Sequence, residues 1–421
     1  MRRDPAASSR STTRSSWAPY AAFTAFGLFW GAWGAALPAL RDQAGVSEGR
    51  LGVALLFVGL GALPAMVVAG RAVDRLGLRV AAWLLAALGG AGVLIAATAH
   101  GMPSLIIGML LVGASSGAAD VAINALAGRA EHISAKPLLI RSHGLFSCGV
   151  VASSLATGVA LGVGATLPAA FTAVTVVVLA LAAVTHRACT LLVAAATPDE
   201  PTNTPARAVD SREHGRRGLL RLLSTPPPLL VVGLVAALAL AIENAHQSWG
   251  AVMLTDVFNA SPPLAAVAPA TFAATAAVAR LSLAPLSRTH PMAMLLAGGA
   301  LAAAGSAVLA TASSVPVAVS GLLVAALGTS TLFPTLLSRS LRDLDPALHG
   351  RATSAVAATG YLGFLLGPAY VGLLAEATNL RGAMLGIAAL ALCFTVAAAP
   401  VSSWAARRHR TNAGCPRTAP R

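Results

Sequence analysis

At 421 residues, the chain is 56% hydrophobic and only 10% charged, with a mean hydropathy of +0.75. A soluble domain has about a quarter of its residues charged, so this composition excludes an ordinary soluble protein. A net charge of +14 would suggest a nucleic-acid partner, but the charges lie between long apolar runs, as in chains that cross a membrane repeatedly. We therefore expect a lipid bilayer as partner and no nucleic acid.

The apolar runs predict twelve transmembrane helices. A crossing segment needs roughly 20 mostly apolar residues, and it is helical because unpaired backbone groups are costly in lipid. The first run follows a basic, serine-rich stretch and precedes further spans, so we expect an uncleaved first helix rather than a signal peptide. The predicted spans are 18–40, 51–70, 80–99, 103–127, 139–163, 167–186, 228–254, 262–284, 291–312, 316–338, 352–374 and 382–404.

The basic residues predict the orientation of the spans. If the amino terminus is cytoplasmic, the outer loops contain only Arg41, Arg50 and Arg381, and the inner loops and termini hold most of the other basic side chains. Such asymmetry is typical of the positive-inside rule. We expect a bacterial inner-membrane protein with both termini cytoplasmic.

The first span carries an aromatic stripe. Phe26, Trp30 and Trp33 follow helical spacing, and aromatic rings in a cavity can stack on a sugar face or hold an apolar solute. We regard Trp30 and Trp33 as candidate substrate contacts. Packing or lipid contact is the alternative for a stripe of this kind.

The loop after the second span reads Gly70-Arg71-Ala72-Val73-Asp74-Arg75-Leu76-Gly77-Leu78-Arg79. Its glycines permit a compact turn, and Asp74 can pair with an arginine or cap a helix across an interface. We predict a conformational latch here; a solvated charge cluster that only orients the protein is the alternative. The predicted latch residues are Gly70, Asp74, Arg75, Gly77 and Arg79.

This loop resembles the G-x-x-x-D-R-x-G-x-R motif of the major facilitator superfamily. The resemblance implies the fold of that family, with two six-helix bundles rocking around a central cavity lined by the first, fourth, seventh and tenth spans. It also implies a secondary transporter, not an enzyme. The corresponding stretch of the second half, 280–288, lacks an acidic residue, so we expect a latch on one side only.

The fourth span contains a polar stripe, in which Ser116, Asp120 and Asn124 are spaced by four. They share one helix face, which favours contact with a wet cavity. A partly desolvated carboxylate there is able to take up and release a proton near neutral pH. Asp120 is thus a candidate proton-coupling residue, although a structural hydrogen bond or ion pair remains the alternative.

The segment 117–124 looks like the acid-x-A-x-N segment of the fucose-permease-like branch of the superfamily. That resemblance implies that Asp120 binds the coupling proton and that Asn124 provides a neighbouring amide at the substrate site. Segments 29–31, 37–38 and 143–149 resemble the same branch more loosely. The acid that sugar-transporting members carry in the first span has no counterpart here, which argues against fucose as the substrate.

The longest polar stretch, about 187–227, lies halfway along the chain and contains three prolines and a charge run. We interpret it as a flexible cytoplasmic linker between two halves of six spans. The predicted organisation is a basic amino terminus at 1–17, bundles at 18–186 and 228–404 on either side of the linker, and a basic tail at 405–421.

The seventh span contains the polar run Glu243-Asn244-Ala245-His246-Gln247-Ser248-Trp249. We predict substrate contacts from Asn244, Gln247 and Trp249. Glu243 is a candidate second protonation site, and pairing with Arg280 or His143 is its alternative. His246 is able simply to donate a hydrogen bond to a neighbouring helix.

The tenth span adds Thr331 as a candidate substrate contact, near Pro334, and the eleventh carries Tyr361 and a Gly/Pro-rich stretch at 363–368 that permits bending. The four cysteines show no metal spacing, so we expect free thiols, with no disulfide, metal or cofactor.

We therefore predict a monomeric transporter of a small organic solute, sugar-like or another metabolite, coupled to protons. An exporter of a hydrophobic drug or secondary metabolite is the alternative, although Met109 stands where such exporters tend to carry a buried arginine. From other classes, a non-transporting sensor or a polytopic membrane enzyme stays open; no P-loop or HExxH motif occurs.

Overall fold

The computed structural model describes residues 17–195, 227–342, 344 and 349–413, and all regular secondary structure in these ranges is helical. Within them the chain forms fourteen helices, because two of the spans, Pro262–Thr289 and Val315–Leu341, each consist of two helices. The helices are α1 Trp17–Ala44, α2 Glu48–Leu76, α3 Val80–Thr98, α4 Met102–Ser134, α5 Leu138–Gly162, α6 Leu167–Ala195, α7 Pro227–Phe258, α8 Pro262–Ala265, α9 Val267–Thr289, α10 Pro291–Thr311, α11 Val315–Thr329, α12 Leu332–Leu341, α13 His349–Ala377 and α14 Leu380–Ala413.

Twelve segments are long and apolar enough to cross a membrane, which confirms the predicted number. Most helices begin and end within a few residues of the prediction. Helix α2 ends at 76 instead of 70, α4 at 134 instead of 127, α6 at 195 instead of 186 and α14 at 413 instead of 404. An apolar run ends where lipid contact ends, whereas a helix continues into water until a residue such as Gly77 stops it.

These extensions affect two predicted segments, and one of them is the tail, whose residues 405–413 continue α14. Residues 187–195, which we assigned to the linker, form the last turns of α6. Residues 196–226 of that linker, the amino terminus up to residue 16 and the tail from residue 414 lie outside the described residues. Cys148, Cys189 and Cys393 are free thiols, and Cys415 falls in the undescribed tail.

Small residues let particular helices pack backbone to backbone within each half. In the first half α1 lies against α5, where a Cβ added to Gly31 would come within 2.9 Å of the Cα atom of Val150. In the second half α7 lies against α13, where a Cβ on Gly363 would come within 2.7 Å of the Cα atom of Ala237. Such close approach is typical of membrane bundles, which lack a hydrophobic driving force between helices.

We call the side of the bundle at which α1 begins the near side, and the side at which α1 ends the far side. On the far side the halves are joined by ionic and polar contacts. The guanidinium of Arg41, at the end of α1, donates to both carboxylate oxygens of Asp256 near the end of α7, with Nη2 2.9 Å from Oδ1. The hydroxyl of Ser47 donates to Glu376 Oε1 over 3.3 Å. The far side is therefore closed.

The predicted latch lies at the near end of α2, and the structure corrects its local conformation. Gly70, Asp74 and Arg75 belong to α2, so only Gly77 to Arg79 form the turn. Gly77 has φ 79°, which glycine adopts without strain, and its N–H bonds the carbonyl of Val73 over 2.9 Å. Nothing between Gly70 and Leu76 breaks the helix, which explains the longer α2.

Candidate functional site

A cavity of about 320 Å³ lies between the two halves. Its lining comes from α1, α2, α4 and α5 of the first half and from α7, α9 and α13 of the second. The walls are mostly apolar, with seven aromatic side chains and a small set of polar ones. The aromatic lining residues are Phe26, Trp30, Trp33, Phe146, Phe272, Tyr361 and Phe364, and the polar ones are Ser116, Asp120, Ser147, Asn244, Gln247, Ser248 and Arg280.

The cavity is reached from the near side. The far-side contacts of Arg41 and Ser47 close the other end, and α5 packs against α8 there, since a Cβ on Gly158 would lie 2.8 Å from the carbonyl oxygen of Pro262. The side chain of Arg280, although placed between spans, keeps 49% of its surface exposed. One-sided access to a central cavity is the geometry that alternating access requires.

Asp120 lies on the cavity face of α4, as the four-residue spacing predicted. Its Oδ1 accepts a hydrogen bond from Asn124 Nδ2 over 3.1 Å, and the same amide donates to the backbone oxygen of Asp120 over 2.9 Å. Within the described ranges no cation lies at ion-pair distance from this carboxylate. Asp120 thus combines access to the cavity with a charge that no neighbouring residue neutralises.

The second acid, Glu243, is buried on α7 with 8% of its surface exposed. Its Oε1 accepts from Arg280 Nη2 over 2.6 Å and from Gln247 Nε2 over 3.2 Å. Of the two ion-pair partners considered for Glu243, the structure selects Arg280. The pair lies within the second half, and Arg280 also lines the cavity.

The position of Arg280 follows from a proline in the tenth span. Pro334 has no N–H, so the carbonyl of Ser330, four residues earlier, loses its helical partner and the span breaks between α11 and α12. Arg280 Nε donates to that carbonyl over 3.1 Å. One guanidinium therefore satisfies a freed backbone oxygen and a buried carboxylate together.

A second proline-freed carbonyl fixes the side chain of Asn244. Pro368 in α13 frees the carbonyl of Phe364, and Asn244 Nδ2 donates to it over 2.6 Å. Asn244 Oδ1 accepts from the hydroxyl of Ser248 over 3.4 Å. Asn244 reaches the cavity with one amide donor and one lone pair already used, whereas Gln247 is exposed to it.

Several residues of the predicted polar cluster do not line this cavity. Trp249 is fully buried against α13, where its Nε1 donates to the carbonyl of Pro368 over 3.0 Å. Thr331 is 5% exposed at the break between α11 and α12. His246 turns away and bonds Ser306 on α10 over 3.0 Å, which is the structural alternative given above. Asn124 touches Asp120 without lining the cavity.

The sequence did not identify Arg280 as a cavity residue; it indicated Arg280 only as the start of the stretch 280–288 and as one of two partners for Glu243. It also gave no indication that Phe272 and Phe364 line the cavity. A signal for Arg280 was present, because Pro334 requires a donor for the carbonyl of Ser330. Phe272 and Phe364 had no such signal, since an aromatic residue in a span faces lipid, core or cavity with the same local pattern.

Twelve spans in two halves around a central cavity with access from one side define a membrane transporter. The family model of the Major Facilitator Superfamily matches residues 20–368, and the chain belongs to that superfamily. The predicted fold is thereby confirmed, and the chain is a multi-pass membrane protein.

Similar proteins are transporters or membrane proteins by name. The chain is 30% identical over 355 residues to an uncharacterized transporter, y4wD, of Sinorhizobium fredii, covering 82% of this chain and 87% of the relative. It is 26% identical over 357 residues to the membrane protein MosC of Rhizobium meliloti, covering 84% of this chain and 82% of the relative.

Among solved structures, a nucleoside transporter, NupG, has a TM-score of 0.71 at 12% identity and covers 93% of this chain and 99% of its own. A D-xylose-proton symporter has a TM-score of 0.65 at 14% identity, covering 93% of this chain and 96% of its own. At these identities the likeness concerns the fold.

Proposed function

We propose that the protein is a secondary active transporter that moves a small organic solute across the bacterial inner membrane by alternating access, coupled to protons. Asp120 is the proton carrier in this proposal, and both termini are cytoplasmic, so the near side faces the cytoplasm. The described conformation is then open to the inside. Gly70, Asp74, Arg75, Gly77 and Arg79 act as the latch that engages when this side closes.

One observation carries the proposal. Asp120 is an acidic residue inside a span that reaches the cavity and has no cation near it among the described residues. An unpaired carboxylate in this setting is costly and is a functional candidate by default. The likeness of segment 117–124 to the fucose-permease-like branch supports the same role. Glu243 is paired with Arg280, so this proposal assigns the coupling proton to Asp120 and not to Glu243.

The substrate site consists of the cavity walls at Trp30, Trp33, Asn244 and Gln247. Aromatic rings and a few polar groups suit an organic solute with an apolar part. The names of the relatives support transport over the enzyme and sensor alternatives. Sugar transport of the fucose type finds no support from the first span, which has no acid facing the cavity.

Proton binding is testable without knowing the solute. Infrared difference spectra of the reconstituted protein between pH 5 and pH 8 should contain the carbonyl band of one titrating carboxylic acid. That band should vanish in Asp120→Asn and persist in Glu131→Gln, an acid of the same helix whose carboxylate accepts from the N–H of Leu139 outside the cavity. A spectrum that Asp120→Asn leaves unchanged contradicts the proton-carrier role.

A further inference from the structure

We propose that the transported solute is an organic cation with an apolar body, that Asp120 is its counter-ion, and that cation and proton compete for this carboxylate. The inference rests on the proposed function, since it uses the same cavity and the same acid. It adds the charge of the solute and the sense of the coupling.

The first argument is the charge balance of the cavity. In the described part of the chain, the charged residues that line it are Asp120 and Arg280. Arg280 is balanced by Glu243, whose carboxylate lies 2.6 Å from Nη2, and Asp120 receives only the neutral amide of Asn124. The cavity therefore has one uncompensated negative charge. In a region of low dielectric constant such a charge attracts a cation and repels an anion strongly.

The second argument is the chemistry of the walls. Trp30 and Trp33 face the cavity from α1, and Tyr361 and Phe364 face it from α13. The π-face of an aromatic ring attracts ammonium groups, tryptophan most strongly, and the attraction increases where water is excluded. Tyr361 and Asp120 line the same cavity. Rings and carboxylate together form a cation site.

The walls fit a neutral polyol less well. A sugar needs several free donors and acceptors, because hydroxyl groups left unpaired on binding lose the hydrogen bonds they make with water. Asn244 is already bonded to Phe364 and Ser248. The remaining surface is largely aromatic and aliphatic, which favours a solute with an apolar body.

Competition with the proton follows from the single carboxylate. Once protonated, Asp120 no longer balances a cation, so the two ligands exclude each other and move in opposite directions across the membrane. Other titratable or charged groups near the cavity are Glu243 on α7, Arg280 on α9, Tyr361 on α13 and His143 on α5. Along the cavity-lining stretches, 26–37 of α1 and 58–66 of α2 contribute none. Of these four groups, His143 is the one that gains positive charge as the pH falls.

The test is calorimetric titration of the full chain in detergent with three probes that share one ring. Benzyltrimethylammonium is a permanent cation, benzyl alcohol is neutral and phenylacetate is an anion. At pH 8 the cation should bind at least about tenfold more tightly than the other two. Its affinity should fall at least about tenfold at pH 5.5, as the proton takes its place.

Substitutions test whether Asp120 causes the preference for the cation and its pH dependence. Asp120→Asn should lose both the preference for the cation and the pH dependence, Asp120→Glu should keep both, and His143→Gln should keep the pH dependence. Glu131→Gln is the matched control and should behave like the unmodified protein. Because Asp120→Glu retains a carboxylate, it keeps the test valid even if Asp120→Asn folds poorly.

Three outcomes overturn the inference. They are tighter binding of phenylacetate or benzyl alcohol than of the cation, a cation affinity that does not change with pH, and no binding of any of the three probes at millimolar concentration. If one of these occurs while the infrared band of Asp120 is present, the cation inference fails and the proton-coupled transporter stands. If instead the unmodified protein binds the probes as expected but shows no infrared band of Asp120, the proton-carrier role fails.

Discussion

Asp120 and Glu243 are both acids within membrane spans, one in each half, yet their surroundings differ. Glu243 is 8% exposed and is held by Arg280 and Gln247, whereas Asp120 lines the cavity with one amide as its side-chain partner. A carboxylate tied to a guanidinium stabilises its bundle and is poorly placed to exchange protons. A carboxylate without a cation is costly to the fold and available to ligands.

The difference begins in the neighbouring spans. Arg280 is fixed by two acceptors, and one of them, the carbonyl of Ser330, exists because Pro334 cannot donate to it. Among the described residues of the first half no arginine lines the cavity, and α4 contributes Ser116, Gly117 and Asp120. An acidic residue is therefore ion-paired in the second half, whereas the acid of the first half has an amide as its side-chain partner.

The largest effect on stability should come from removing Arg280, the more exposed partner of the Glu243–Arg280 ion pair. Arg280→Gln leaves the buried carboxylate of Glu243 without a cation and should lower the free energy of unfolding by about 3 kcal/mol. Glu243→Gln leaves a guanidinium that is 49% exposed, and since water can reach it, the loss should be only about 1 kcal/mol. Thermal denaturation in detergent measures both.

Asp120→Asn is the matched comparison in that experiment. Because it removes a charge that has no partner, it should leave the melting temperature unchanged or raise it. If Asp120→Asn destabilises the protein as much as Arg280→Gln, the contrast between the two acids is wrong.

A smaller effect should follow from disturbing the helix that carries Asp120. A Cβ on Gly113 would lie 2.7 Å from the Cα atom of Val58 in α2, so Gly113→Ala forces α2 and α4 apart and should cost about 2 kcal/mol. Gly128→Ala, on the same helix with nothing within 4 Å, should instead stabilise by about 0.5–1 kcal/mol through helix propensity. Equal melting temperatures for the two variants would contradict the close packing of α2 against α4.

The smallest effect concerns a third acid, Asp256, which pairs across the halves. Asp256→Asn weakens its contact with Arg41 and should favour opening of the far side by about 1 kcal/mol, or about fivefold in population. Ala265→Cys, buried there at 1% exposure, should then react faster with a water-soluble maleimide, in a background whose native cysteines are replaced by alanine. As a control, the exposed Ser261→Cys should react at the same rate with Asp256 and with Asp256→Asn. If Asp256→Asn leaves the rate at Ala265→Cys unchanged, Asp256 does not hold the far side closed.

Much of the fold was predictable because lipid restricts what a chain can do. Each run of about 20 apolar residues has to become a helix, so the twelve spans and most of their ends followed from hydropathy. The helix ends beyond the lipid did not follow, as the extension of α2 through Asp74 shows. In water, helix stop signals rather than hydropathy decide where a helix ends.

The site was predictable only in part. Asp120 was found because polar residues repeat every four positions on α4, and Trp30 and Trp33 because they share a face of α1. Trp249 follows the polar run of α7 just as closely, yet it packs against Pro368. Local spacing shows which residues share a helix face but not whether that face meets a cavity or another helix.

The sequence by itself determined the number of spans and that an acid with an amide partner lies on one face of the fourth, since both follow from local periodicity and from the cost of polar groups in lipid. Only the tertiary structure decided which acid is paired. Arg280 and Glu243 are 37 residues apart, and their meeting depends on how α7, α9 and the broken tenth span pack, which no local pattern encodes.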